Sequence, residues 1–347
     1  MTRKEMTMDP EACPSSPRVV IIGCGSWGTS LASVLTQAAS AVTLVGRNSM
    51  VIEDINSNHR NERYLPGANL DPSITASADL TVACEADLIL FVVPSSATRS
   101  TAEQLAALEL RPRTILMACS KGIERGTGQR MSEIIAELLP AHPLSVLSGP
   151  NHAEEVSRGL ATTTVIGSQD DEVRSCLQRL FTSPTFRSYT STDLTGMEWG
   201  GAIKNVFAIA SGIATGLGLG DNATAGLVTR GLAEMIRLGT ALGGQPDTFV
   251  GLSGVGDLIA TCYSHHSRNF RAGISIGKGN TVQQTLDAEG MVVEGIPNCQ
   301  SIHEVARHTG VRTPLIDSVY SVLYEDKPAA DALQELLTRA PRPETES

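Results

Sequence analysis

Apolar positions along the chain fall into two regimes that change near residue 195. Before it, short apolar runs at 18–23, 41–45, 87–93, 114–118, 144–147 and 162–166 alternate with stretches of helical spacing, for example 97–108, 127–139 and 170–181. Runs that are apolar on both faces predict strands of a parallel sheet covered on two sides. The alternation is that of a doubly wound α/β sheet. Beyond residue 195, Ala- and Leu-rich segments with helical spacing follow at 196–213, 222–242, 255–262, 268–277, 281–287, 298–309, 314–323 and 329–339. Gly243-Gly244, Lys278-Gly279-Asn280 and Gly310 punctuate them as helix stops. The pattern predicts an α/β domain over 17–195 and an all-α domain over 196–340, packed together with a ligand cleft between them.

The first predicted strand runs directly into Gly23-Cys24-Gly25-Ser26-Trp27-Gly28, and the helical run Leu31, Val34, Leu35 comes next. In a strand–turn–helix of this G-x-G-x-x-G spacing, one glycine makes the tight turn, one lets a pyrophosphate approach the backbone, and one lets helix and strand pack closely. The free N–H groups at the helix start then face an anionic ligand. A second strand at βαβ distance, Ala41 to Val45, makes this a dinucleotide site rather than a bare turn. That strand ends in Gly46-Arg47-Asn48, where an NAD-preferring unit usually places an acid for the ribose 2′-hydroxyl. A cation there suits a 2′-phosphate, so the reading favours NADP and keeps NAD; the alternative is an ordinary exposed arginine at a strand end.

Composition narrows the class. The 347 residues, 41% hydrophobic and 18% charged, supply apolar material for two cores. A net charge of −10 argues against a general nucleic-acid surface, so an anionic substrate must be met by a few locally placed cations. Cysteines at 13, 24, 84, 119, 176, 262 and 299 form no C-x-x-C pair and read as buried free thiols of a reducing, cytoplasmic compartment. His265-His266 is the one histidine cluster, and adjacent side chains diverge, so no metal is expected. No run approaches the length of a membrane span, and the first 16 residues carry no signal-peptide pattern. A frayed N-terminus and a disordered 341–347 tail are expected. The oligomeric state stays open, a homodimer included.

Ligands of open α/β sheets bind beyond the carboxyl ends of the strands. Three predicted ends carry Pro94-Ser95-Ser96, Ser120-Lys121-Gly122 and Ser148-Gly149-Pro150-Asn151. Lys121 is the fixed cation among them, either a ligand contact or a solvated loop lysine. In the helical half, Lys204 stands in Trp199-Gly200-Gly201-Ala202-Ile203-Lys204-Asn205-Val206, a segment otherwise apolar or small and hence buried. Gly200 and Gly201 lie one turn earlier and clear space on its face. A buried lysine has its pKa lowered and becomes a usable base; the alternative is a lysine that snorkels out from a helix edge. Asp257 enters an apolar helix, and Ser267-Arg268-Asn269 opens another. That helix start offers N–H groups, a forked cation and an amide together, the chemistry of a phosphate site or of simple capping. Val292-Val293-Glu294-Gly295 adds one carboxylate without a reading of its own. Together these features point to hydride transfer between a nicotinamide and a carbon bearing oxygen, with Lys204 as acid/base and Arg268 and Lys121 as clamps.

These motifs, in this order from residue 19 to about 325, resemble bacterial-type NAD(P)-dependent glycerol-3-phosphate dehydrogenase. Further matching stretches are Thr229-Arg230-Gly231-Leu232-Ala233-Glu234-Met235 and Gly254-Val255-Gly256-Asp257-Leu258. The resemblance implies a Rossmann-type domain followed by a helical one, and interconversion of dihydroxyacetone phosphate and sn-glycerol 3-phosphate for glycerophospholipid synthesis. It implies Lys204 as catalytic proton acceptor, with Lys121, Gly149, Asn151, Asp257, Ser267, Arg268 and Asn269 at substrate-contacting positions. Ser26, Trp27, Arg47, Lys121, Ala153, Arg268, Val292 and Glu294 match cofactor-contacting positions beside Gly23, Gly25 and Gly28. One departure is Asn151-His152, where the family pattern carries Ser or Thr followed by an apolar or aromatic residue. An amide can replace the hydroxyl as donor and acceptor, and Lys204 fills the role that His152 would otherwise invite. Two other readings stand beside this one: a dehydrogenase of a hydroxy acid, and a non-catalytic NADP-binding sensor.

Overall fold

The computed structural model describes residues 14, 16–340 and 343. Apart from Pro14, Ser16 and Pro343, the frayed start and the disordered tail expected from the sequence fall outside those residues. The α/β part carries β1 (Arg18–Ile22), β2 (Ala41–Val45), β3 (Ile74–Ser77), β4 (Leu88–Phe91), β5 (Ile115–Ala118), β6 (Leu144–Ser148), β7 (Thr162–Gly167) and β8 (Phe186–Ser191). They form one sheet in the order β3-β2-β1-β4-β5-β6-β7-β8. β1 pairs in parallel with β2 on one side and β4 on the other, which puts the switch in strand order at the end of β1.

Both faces are covered because β1 buries alternate residues in two cores. Val19 and Ile21 pack with Leu31, Leu44 and Leu90, while Val20 and Ile22 pack with Ile89, Phe91 and Leu116. The layers are completed by α1 (Ser26–Leu35), α2 (Ser49–Asn58), α3 (Thr98–Ala106), α4 (Met131–Leu138), α5 (Ala153–Val156) and α6 (Asp171–Phe181).

Two features differ from the sequence expectation. β7 runs antiparallel to β6, with Leu147 opposite Ile166, whereas its apolar run reads as a parallel strand. The connection between them holds only the single-turn helix α5, and such a link turns the chain back without crossing to the other end of the sheet. β3 and β8, at the two edges, follow half-buried alternation rather than continuous apolar runs.

The helical part comprises α7 (Leu194–Gly216), α8 (Asp221–Ala241), α9 (Pro246–Phe249), α10 (Asp257–Tyr263), α11 (Arg268–Gly277), α12 (Val282–Glu289), α13 (Gly295–Thr309), α14 (Pro314–Tyr324) and α15 (Ala329–Leu337). α7 is its axis, buried at every residue from Gly196 to Ala214. Its start is fixed by the buried Asp193 carboxylate, which accepts from Gly196 N, Gln245 N and Thr248 Oγ1. α11 crosses α7 backbone against backbone. A Cβ added at Gly212 would lie 2.1 Å from Phe270 O, and one at Gly273 would lie 2.2 Å from Ile209 O. Gly216 and Gly277 repeat the contact one turn on, each added Cβ lying 2.5 Å from a carbonyl oxygen of the facing helix.

A π-helical turn, Leu252–Gly256, makes Asp257 the first residue of α10, later than the expected helix start at 255. Cys24, Cys84, Cys119, Cys262 and Cys299 are free. Cys176 is disulfide-bonded, so the reading of free thiols fails there; Cys13 lies outside the described residues. No helix among the described residues is long and apolar enough to cross a membrane.

Candidate active site

A cleft of about 1380 Å³ runs from the glycine turn after β1 to the first turn of α11. At its sheet end Gly23 adopts φ +127°, and a Cβ there would lie 2.3 Å from Val92 O. A Cβ at Gly28 would lie 2.0 Å from Gly23 O, which is the close helix–strand packing that the third glycine permits. Gly25 is different: nothing stands within 4 Å of where its Cβ would be, and as N-cap of α1 it provides no side-chain acceptor. The first N–H groups of α1, at Ser26, Trp27 and Gly28, are therefore left for an anion in the cleft. This cradle fits the pyrophosphate of a dinucleotide. Asn61, almost fully buried, braces the turn by donating to Cys24 O at 2.9 Å and Thr29 Oγ1 at 2.8 Å. Trp27 packs on Ala153, whose carbonyl accepts from Ser30 Oγ at 2.8 Å. Arg47 lies exposed on the cleft wall past β2.

The middle of the cleft holds two lysines joined by one carboxylate. Lys204 Nζ donates to Asp257 Oδ1 and to Thr261 Oγ1, each at 2.7 Å. Lys121 Nζ donates to Asp257 Oδ2 at 2.7 Å and to Gly149 O at 2.8 Å. Lys204 and Asp257 are 6% and 2% exposed, so these charges interact in a site nearly stripped of water. Burial pulls the Lys204 pKa down to about 8, against the raising effect of Asp257 and with help from the Lys121 charge. For Asp257, burial acts upward, but the two ammonium groups outweigh it and hold the carboxyl below its usual range. The result is a lysine that changes protonation near neutral pH beside a carboxylate that stays ionised.

The glycines before Lys204 serve other groups than Lys204 itself. A Cβ at Gly200 would lie 2.6 Å from Ser253 O, and one at Gly201 would lie 3.3 Å from Lys121 Cγ. Gly200 lets α7 meet the π-helical turn, and Gly201 opens the groove along which Lys121 reaches Asp257.

At the far end, Ser267 caps α11 by accepting from Phe270 N at 3.2 Å, and Arg268 Nη1 donates to Val292 O at 2.8 Å. Asn269 Nδ2 donates one proton to Asn205 Oδ1 at 2.9 Å, and its Oδ1 accepts from Gly295 N at 2.8 Å. The second Nδ2 proton and the main-chain N–H, with that of Arg268 in the first turn of the helix, are its donors toward an anion. Glu294 reaches back to the sheet, accepting from Ser95 N at 3.0 Å and Ser95 Oγ at 2.6 Å.

Of the substrate- and cofactor-contacting positions implied by the resemblance, Gly149 and Asp257 stand outside the cleft lining and reach it through the lysines, and the others line it; Ser95, Ser96, Ser148 and Pro150 at the strand ends do not. Asn151 Nδ2 donates to Thr163 O at 2.9 Å, and its buried Oδ1 has no partner among the described residues. His152 Nε2 donates to Ala260 O at 3.0 Å, and burial lowers its pKa, which ties up that proton and keeps the ring neutral. Thr261, Asn205 and Asn61 were not legible as site residues. Thr261 is one turn after Asp257 on α10 and Asn205 adjoins Lys204, so both had a positional signal. Asn61 had none, since both groups to which its Nδ2 donates are over 30 positions away.

Family comparison gives two matches that cover most of the chain. Residues 18–174 match the model for the N-terminus, and 193–334 the model for the C-terminus, of NAD-dependent glycerol-3-phosphate dehydrogenase. A relative from Moorella thermoacetica, named glycerol-3-phosphate dehydrogenase (NAD(P)+), is 46% identical over 330 residues, 95% of this chain and 98% of the relative. One of the same name from Geobacter sulfurreducens is 46% identical over 328 residues, covering 93% and 98%. The crystal structure of glycerol-3-phosphate dehydrogenase from Coxiella burnetii superposes with a TM-score of 0.90 at 35% identity, covering 94% of this chain and 100% of that one.

Proposed function

The chain belongs to the NAD-dependent glycerol-3-phosphate dehydrogenase family, and from that membership we propose how its residues divide the work. The reaction is the interconversion of dihydroxyacetone phosphate and sn-glycerol 3-phosphate with NAD or NADP, a step of lipid metabolism. Membership sets aside the hydroxy-acid and sensor readings. When bound, the nicotinamide supplies or takes up the hydride.

Lys204 is the proton carrier. As ammonium it gives a proton from Nζ to the substrate oxygen in ketone reduction; as amine it takes that proton back in alcohol oxidation. Asp257 and Thr261 aim Nζ and keep it from drifting, while Lys121, held on the same carboxylate, supplies a fixed positive charge beside the substrate. The substrate phosphate docks at the first turn of α11, on Ser267, Arg268 and the N–H of Asn269. Asn151 and Gly149 complete the substrate side, and Trp27, Ala153, Val292 and Glu294 the cofactor side. Arg47 receives the 2′-phosphate and favours NADP. A domain division close to 195/196 is supported by the sheet ending at Ser191 and α7 beginning at Leu194, which sets the change of architecture two to four residues earlier.

The observation that carries the proposal is the buried Lys204 Nζ, 2.7 Å from Asp257 Oδ1, in one cleft with the glycine turn and the α11 start. Lys204→Met tests it. NADPH should bind with unchanged affinity while kcat falls by about 10²-fold or more, the scale of general acid/base loss. Turnover near the wild-type rate would remove Lys204 from the role.

A further inference from the structure

The loop after β5 carries Lys121, and its geometry is set from outside the cleft. Asn298, on the first turns of α13, is 0% exposed and does not line the cleft. Its Nδ2 donates to Lys121 O at 3.0 Å, and its Oδ1 accepts from Ile123 N at 3.3 Å. One amide thus spans Lys121-Gly122-Ile123, using a donor and an acceptor in the fixed geometry of a single planar group. Gly122 between them has no slack: a Cβ there would lie 2.4 Å from Ser95 Cβ and 2.9 Å from Asn298 Oδ1. Asn205 Nδ2 also donates to Lys121 O, but at 3.4 Å, so Asn298 makes the shorter bond.

With its main chain held, the Lys121 stem lies over Gly201 and its ammonium ends on Gly149 O and Asp257 Oδ2. The amide makes both bonds within the protein interior and does not line the cleft. We propose that Asn298 is a positioning residue for Lys121: the buried amide on α13 fixes the strand-end loop so that the Lys121 ammonium meets both Asp257 and the substrate. The proposal rests on the substrate role given to Lys121 above. It assigns α13 a second duty beside that of Glu294, which holds the neighbouring loop through Ser95.

The test uses Asn298→Ala and Asn298→Leu, the second retaining much of the volume without either hydrogen bond. Each is made in the full chain and in a Lys121→Ala background. kcat/KM for dihydroxyacetone phosphate, NADPH affinity and thermal unfolding are measured on all. Both single variants should lose about 10- to 10²-fold in kcat/KM, the scale of a displaced positioning group, with NADPH affinity no weaker than in Lys121→Ala. In the Lys121→Ala background neither should cause further loss, because the residue through which Asn298 acts is gone. Losses that multiply in the double variants, or a lowered Tm with kcat/KM intact, would reduce Asn298 to a packing role. Full activity in Lys121→Ala alone would instead remove the premise, and the proposal with it.

Discussion

Asp257→Asn perturbs the centre of the site with almost no change of shape. The native carboxylate accepts from both lysines at 2.7 Å while only 2% exposed. The amide keeps one acceptor oxygen and turns the other position into a donor facing an ammonium. Stranding a buried charge in this way costs about 3–5 kcal/mol. Lys204 has a less costly escape, because burial has already brought its pKa down to about 8. Releasing its proton at pH 7 costs about 1.4 kcal/mol, the worth of one pKa unit. Loss of Asp257 removes an influence that raises this pKa, so the cost drops further and Lys204 should shift toward the amine at pH 7 in the variant.

The sign then follows for each direction. Reduction needs the ammonium, so wild-type kcat/KM for dihydroxyacetone phosphate should fall as pH rises through about 8. Oxidation needs the amine, so kcat/KM for sn-glycerol 3-phosphate should rise through the same pH. In Asp257→Asn both limbs should move to lower pH, and at pH 7 reduction should lose more than oxidation. The assay follows nicotinamide absorbance in both directions from about pH 6 to about pH 9, a window that brackets the expected limb. A limb that stays in place in the variant, or wild-type limbs of the same slope in both directions, would show that Lys204 is not the titrating group.

Arg47→Asp should weaken NADPH binding far more than NADH binding, measured by titration with each; equal effects would remove Arg47 from cofactor choice. Gly212→Ala should destabilise the helical part by about 1–3 kcal/mol, the scale of overpacking, since the new Cβ would start 2.1 Å from Phe270 O. An unchanged Tm by calorimetry would mean that α7 and α11 separate freely.

Much of the fold and of the candidate site could be read along the chain, and the remainder escaped for identifiable reasons. The central strands β1, β4 and β5 are continuous apolar runs because both faces are covered, so they stand out. β3 and β8 escape because an edge strand alternates, as in Phe186-Arg187-Ser188-Tyr189, and short alternation looks like a loop. The direction of β7 depends on how the link through α5 turns, which no periodicity encodes. In the site, Lys204 is conspicuous as a charge inside an apolar helix, and Gly25 as part of a spacing with a known mechanical reason. Asn61 and Asn298 are ordinary asparagines in sequence, and what they do depends wholly on which distant carbonyl each meets.

The crossing of α7 and α11 has a bearing on substrate choice. The proposed proton carrier rides on one of these helices and the proposed phosphate seat opens the other, and where they touch, main-chain carbonyl oxygens meet the Cα atoms of four glycines. At that crossing no side chain separates the helices, and nearer the cleft the Asn205–Asn269 amide pair ties them, so the spacing of the two helices limits how far Nζ sits from the proposed phosphate seat. With the roles proposed for Lys204 and the α11 start, that spacing would gauge how many carbons separate the reacting oxygen from the phosphate ester. A protein built this way can change its preference for head groups by altering the cleft wall, but to accept a longer skeleton it must move a whole helix.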